Sequence, residues 1–152
     1  MTINARVLGI AEQWIGTPYR HQGSAIGVGC DCLGLVRGIW RGLYGREPEQ
    51  VPAYAADWAE RSGEERLLEA AGRHFQPVGS FRQSLPGDLV IFRFRPGCAA
   101  KHAGILAGSG GSATGITSDH FIHAYEQAAV IRSTLVPAWR KRIAGLYRFP
   151  EV

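Results

Sequence analysis

Between Asn4 and Ile15 the apolar residues Val7, Leu8, Ala11, Trp14 and Ile15 recur at helical intervals, and Gly16-Thr17-Pro18 stops the run. The pattern predicts a helix over Asn4–Ile15. Residues 16–31 carry no period and are glycine-rich, which predicts a long loop. From Cys32 to Tyr44 the helical spacing returns: Leu35, Val36, Ile39, Trp40 and Leu43 share one face, and Gly45 ends it. Glu64–His74 reads as a third, more charged helix, after an irregular stretch from Gly45 to Gly63 that holds Pro48 and Pro52. Beyond Pro86-Gly87 the period changes. Asp88–Phe94, Ala103–Ala107, His120–Tyr125, Ala129–Thr134 and Leu146–Phe149 read as strands. A glycine- and serine-rich connection, Gly108–Ser118, lies among them, and its Gly108–Gly115 part has the length of either a lid or a long hairpin loop. Helices first and strands afterwards predict an α+β fold with the N-terminal helices packed on an antiparallel sheet.

With 152 residues, 45% hydrophobic and 20% charged, the chain is expected to form one domain spanning 1–152. A net charge of +4 on that apolar content excludes disorder as the default. Arg6 and Glu12 interrupt any apolar leader, and the longest uncharged run, Ala103–Ser118, is too polar to span a membrane. The expectation is a protein made in the cytoplasm without a signal peptide or a membrane span. Charge is unevenly spread. Residues 46–72 hold seven acids against three bases, leaving fourteen bases against six acids elsewhere, a balance that favours an anionic polymer as partner. No stretch has the form of a nucleic-acid-binding module, so no specific nucleic acid is expected.

Chemistry concentrates where the loop meets the second helix. Cys32 opens that helix, so its sulfur sits at a helix N-terminus, where partial positive charge favours thiolate. The bland reading is a small buried hydrophobe. Candidate bases follow on the strands. His102 immediately precedes Ala103–Ala107 and His123 lies within His120–Tyr125, so neighbouring antiparallel strands would set the two imidazoles side by side. His120 alternates to the opposite strand face, His21 lies in the loop, and His74 sits near a helix C-terminus. A rival reading takes Cys30-x-Cys32 with Cys98-x3-His102 as four zinc ligands, although Cys-x-Cys is tighter than the usual C-x2–4-C. Cys98, after Pro96-Gly97, also fits a plain turn. Trp14, Trp40 and Trp58 read as core, whereas Trp139 beside three bases fits a snorkelling residue, a partner contact or a cap on the core.

Four ordered segments resemble the NlpC-type cysteine peptidases of bacterial cell walls. They are Gly16-Thr17-Pro18-Tyr19; Asp31-Cys32-Leu33-Gly34-Leu35-Val36; Leu85-Pro86-Gly87-Asp88-Leu89-Val90; and Lys101-His102-Ala103-Gly104-Ile105 with Phe121-Ile122-His123-Ala124. The resemblance implies a papain-like α+β fold without cofactor or metal. It also implies a Cys-His-His triad, with Cys32 as nucleophile, His102 as general base and acid, and His123 as the orienting member. Tyr19 would lie beside the thiol, and Asp31 would help hold the free amine of the substrate. The implied substrates are peptidoglycan stem peptides, cut at the γ-D-glutamyl–diaminopimelate bond. The single-domain form and the tail Trp139-Arg140-Lys141-Arg142 resemble the subgroup encoded with phage or phage-like tail genes. That subgroup implies incorporation in a tail, tail or baseplate proteins as partners, and action in the wall of the target cell. A structural tail protein with the same fold and little activity, docked through the acidic 46–72 segment or the C-terminal tail, is the alternative.

The sequence also departs from the pattern. Leu33 stands where the family has serine, His21-Gln22 where it more often has Trp-Gly, and Cys30 where it has an apolar residue. These departures touch bond specificity more than the triad.

Overall fold

In the computed structural model, residues 1–58, 63–108 and 118–152 are described. Among the described residues, three helices, α1 (Ile3–Trp14), α2 (Cys32–Tyr44) and α3 (Arg66–His74), precede the main sheet. A small hairpin, β1 (Ser24–Ala25) and β2 (Gly29–Cys30), lies inside the stretch read as loop. After α3 come β3 (Gln76–Pro77), a 3-10 turn at Phe81–Gln83, β4 (Leu89–Phe92), β5 (His102–Ala107), β6 (His120–Ala124) and β7 (Val130–Thr134). A one-turn helix, α4 (Pro137–Arg140), and β8 (Ile143–Arg148) close the chain. The six-stranded sheet runs β3-β8-β4-β5-β6-β7, every neighbouring pair antiparallel.

The first two helices start where a side chain takes an orphan N–H. Thr2 accepts from Ala5 N–H at 3.0 Å to open α1, and Asp31 accepts from Gly34 N–H at 2.7 Å to open α2. The helix α3 lacks a side-chain cap and begins at Arg66, two residues later than the charge pattern suggested. The face of α1 formed by Ile3, Val7, Ala11 and Trp14 is buried, as is the Leu35–Ile39–Leu43 face of α2. Both pack on Leu89, Ile91, Ala103, Ile105, Ala107, Ile122 and Ala124. The other sheet face, with Val90, Phe92, Leu106, Phe121 and Leu146, is covered by Phe81, Leu135, Trp139 and Ile143.

The central strands are therefore buried on both faces, which is why Leu89–Phe92 is a continuous apolar run rather than an alternation. Trp139, half-buried, packs on the second core, as the capping reading expects. Arg140 lies over the Phe81 ring at 4.0 Å and Arg142 over Trp139 at 5.9 Å, so two of the three neighbouring bases cover aromatic rings of that core. Most of the Gly108–Gly115 lid-or-hairpin question lies outside the described residues.

The turn before β4 carries a buried knot. Asp88 is fully buried and accepts from Asn4 Nδ2 (2.9 Å), Leu85 N–H (2.8 Å), Arg148 Nε (2.8 Å) and Arg148 Nη2 (2.9 Å). Gly87 has a φ of +99°, and a Cβ there would run into the Asn4 backbone. One carboxylate thus joins the start of α1, the start of β4 and the end of β8.

Candidate active site

Asp31 fixes the start of α2 and with it the cysteine. Besides Gly34 N–H, its carboxylate accepts from Gln22 N–H at 2.8 Å and from the Tyr54 hydroxyl, and His21 Nδ1 stands 3.9 Å away. Gly34 is obligatory here, because a Cβ would collide with the Gly23 carbonyl. Cys32, half-buried in the first helical position, donates its thiol to the Lys101 carbonyl at 3.5 Å. The Ala103 N–H also faces the sulfur, which therefore lies over the peptide units on either side of His102.

His102 pairs with Phe92 across the sheet, and His123 stacks on Phe121, so both imidazoles stand on the second-core face. They meet edge to face, His102 Nε2 lying 2.8 Å from His123 Nδ1. His123 Nε2 lies 2.8 Å from Ser133 Oγ on β7. The Trp139 ring packs against both histidines, with centroids 5.7 and 5.5 Å away, and Phe94 stacks on His102 at 5.6 Å. Bonding to His123 through Nε2 leaves Nδ1 as the second ring nitrogen of His102.

Burial governs the protonation states. It pushes the Cys32 thiol up to about 12, with the Asp31 charge adding to the rise, while the Ala103 and Leu33 N–H groups and Lys101 oppose it more weakly. Burial pulls His102 down to about 3, helped by His123 and Lys101, and pulls His123 down to about 4. Burial thus favours the neutral form of the thiol and of both imidazoles. The helix N-terminus was expected to favour thiolate; desolvation and the neighbouring carboxylate outweigh it here.

Tyr19 is half-buried, held by Tyr19 N–H to the Ala128 carbonyl at 3.1 Å. Burial raises its phenol, as do the charges of Cys32 and Asp31, which places it in reach of both. Cys30 is wholly buried in the first core, and burial pushes its thiol up to about 12. Cys98 sits in a turn, its N–H bonded to the Arg95 carbonyl at 3.2 Å. Among the described residues no group of three or more His, Cys, Asp or Glu is placed to hold a metal, so the four zinc-ligand candidates do not converge. His120 bonds Asp119 at 3.0 Å and His74 bonds Glu49 at 2.8 Å, away from the pair.

Sequence reasoning missed three neighbours of the site. Tyr54, in the irregular stretch, covers Asp31, and its carbonyl accepts from His21 Nε2 (2.8 Å) and Gln22 Nε2 (2.6 Å). His21 and Gln22 thus hold Tyr54 in place, a task that Trp-Gly could not perform in the same way. Ser133 escaped because only the strand register sets it diagonally across from His123. An apolar cavity of about 230 Å³ also opens beside the cysteine, between α2, α3 and residues 48–58, lined by Leu33, Val36, Trp40, Leu67, Phe75 and Ala103. Leu33, in place of serine, makes part of this apolar wall.

A cysteine at the head of a helix, packed on an antiparallel sheet that carries the histidines, defines a papain-like α+β architecture. The chain belongs to the NlpC/P60 family, whose profile matches residues 16–148. It is 30% identical over 152 residues to the gamma-DL-glutamyl hydrolase of Bacillus subtilis, covering 99% of this chain and 30% of that protein. It is 28% identical over 124 residues to the probable endopeptidase NlpC of Escherichia coli, covering 82% of this chain and 63% of that protein. The chain thus spans under two thirds of the length of either relative. Among solved structures, an NLP/P60-family protein of Staphylococcus aureus, similar to lipoprotein, superposes with a TM-score of 0.59 at 19% identity, over 99% of this chain and 42% of that one. The NlpC/p60 domain of the peptidoglycan hydrolase SagA superposes with a TM-score of 0.57 at 22% identity, over 96% of this chain and 98% of that one. Among the described residues no helix is long and apolar enough to cross a membrane.

Proposed function

We propose that residues 1–152 act as one cysteine endopeptidase domain on peptidoglycan stem peptides, cutting the γ-D-glutamyl–diaminopimelate bond. The observation that carries the reading is the seat of Cys32 at the head of α2, over the peptide units that flank a hydrogen-bonded histidine pair. Cys32 is the nucleophile. As its sulfur attacks the amide carbonyl, the thiol proton passes to His102 Nδ1, and His123 holds the imidazolium through Nε2. The Cys32 N–H at the head of α2 is the group placed to stabilise the oxyanion, while the Gly34 N–H is held by Asp31. His102 then protonates the leaving amine, and water, deprotonated by the same ring, releases the acyl group. Because burial keeps His102 neutral, the base is ready without an ion pair in the resting enzyme. Asp31 and Tyr19 line the substrate's amine end, and Tyr54 must yield its hydrogen bond when an amine reaches the Asp31 carboxylate.

Supporting this reading are the family, the names of the two curated relatives, and a basic bulk that suits an anionic wall. Digestion of purified peptidoglycan and soluble stem peptides by wild type, Cys32→Ala and Cys98→Ala, read by mass spectrometry, tests it. Cleavage after γ-D-glutamate that survives in Cys98→Ala and is lost in Cys32→Ala is the expected result. Intact substrates with folded wild type would overturn the peptidase reading and leave the structural tail protein in its place. We further propose carriage in a phage-like tail, opening the wall for DNA passage. This rests on the resemblance of Trp139–Arg142, and detection of the chain in purified particles tests it.

A further inference from the structure

A serine hydroxyl ends the chain of hydrogen bonds behind the candidate base. His123 and Ile131 are register partners on β6 and β7, and Ser133, two residues on, presents Oγ to the same face, 2.8 Å from His123 Nε2. His123 Nδ1 faces His102 Nε2 at the same distance. A neutral imidazole donates from one nitrogen and accepts at the other, whereas a hydroxyl does either. Two chains of protons therefore fit these three groups.

In the first, Ser133 Oγ accepts from His123 Nε2–H, His123 Nδ1 accepts from His102 Nε2–H, and the lone pair of His102 Nδ1 is left for the thiol. In the second, Ser133 O–H donates to His123 Nε2, and His123 Nδ1–H donates to His102 Nε2. The neutral His102 must then carry its proton on Nδ1, where it cannot serve as base. When His102 takes up a second proton, both its nitrogens donate and only the first chain remains whole. We propose that Ser133 is a positioning residue that, by accepting from His123 Nε2–H, fixes both imidazole tautomers so that His102 presents a bare Nδ1 to Cys32. This builds on the peptidase reading but concerns a residue two bonds away from the reacting atoms. His123 is 1% exposed, so water is a poor substitute for the lost acceptor.

The tautomers are read directly by long-range proton–nitrogen NMR correlation on 15N-labelled protein at neutral pH, with peaks assigned by His102→Gln and His123→Gln. Wild type is expected to carry Nε2–H on both rings. In Ser133→Ala the His102 proton moves to Nδ1 in a large fraction of molecules, and kcat falls roughly tenfold or more with KM unchanged, within the 10²–10⁴ that a positioned base contributes. Ser133→Thr keeps the hydroxyl and restores both readouts. Wild-type His102 protonated on Nδ1 overturns the proposal, as does Ser133→Ala with both tautomers unmoved, or with moved tautomers and full kcat. The wild-type spectrum and Ser133→Thr decide even where Ser133→Ala does not fold. Since the spectra need no substrate, a protein with the expected tautomers that cleaves nothing refutes the peptidase reading and leaves the assignment of Ser133 standing.

Discussion

Two buried imidazoles set a measurable pH dependence. In the unfolded chain a histidine binds its proton near pH 6.5, whereas in the fold burial pulls His123 down to about 4 and His102 to about 3. Below about pH 6.5 the unfolded state binds more protons than the native state, so stability falls with falling pH until the native rings also titrate. Each ring contributes a slope of about 1.4 kcal/mol per pH unit over that window. Denaturant unfolding of wild type and His123→Gln between pH 6 and 4.5 is expected to show the variant's slope shallower by about that amount. Equal slopes would mean that His123 is protonated in the fold. The cysteine gives an opposite expectation. Because burial and Asp31 push its thiol up to about 12, its alkylation by iodoacetamide should rise about tenfold per pH unit from pH 6 to 9. A rate already level at pH 6 would reveal a resting thiolate–imidazolium pair.

At the scale of elements, α2 was legible to the residue, Cys32–Tyr44, because period and terminal glycine agree. The central strands were legible as apolar runs. The Cys32, His102 and His123 candidates fell on the elements expected of them. What stayed hidden depends on chain path or register. The fragments β1, β2 and β3 are two residues each, too short for any period. The last strand begins at Ile143, not Leu146, since Ile143, Ala144 and Gly145 are half-buried and show no alternation. Tyr54 lies where no pattern runs, and Ser133 looks like an ordinary strand residue until β7 is set against β6. Nor did the pattern show where α1 and α2 cross closely: Gly38 faces Trp14, and a Cβ there would enter the indole ring. Gly38→Ala should therefore destabilise the fold by about 1–3 kcal/mol despite alanine's better helix propensity, as overpacking does. A raised Tm would place the helices farther apart than they stand.

For the whole molecule, much of the acidic stretch pairs with cations of the same chain. Four of its seven acids bind the chain's own cations. Glu47 takes Arg37 (2.6 Å) and Arg41 (3.1 Å), and Glu49 takes Arg73 and His74 at 2.8 Å each. Glu65 takes Arg93 (2.6 Å) and Glu64 takes Arg66 (2.9 Å). These partners hold the Glu47, Glu49 and Glu65 carboxyls below the usual range. The first two fasten residues 46–54 across the apolar cavity, and the Tyr54 hydroxyl on Asp31 fastens their far end. Half-exposed pairs contribute at most about 1 kcal/mol each, so the fastening is modest and its loss should be local. Glu47→Gln with Glu49→Gln should raise the rate of limited proteolysis within residues 46–58 by about fivefold or more, since cleavage follows the population of the opened segment. The Tm should move little, because the two cores do not depend on this segment. The carboxyls are depressed, so the fastening is complete above the ordinary glutamate range and is lost as pH falls through their lowered values. Wild type should then approach the double variant's cleavage pattern only in strong acid, with an acid-stable protease as probe. Unchanged cleavage in the double variant would show that Tyr54 alone holds the segment down.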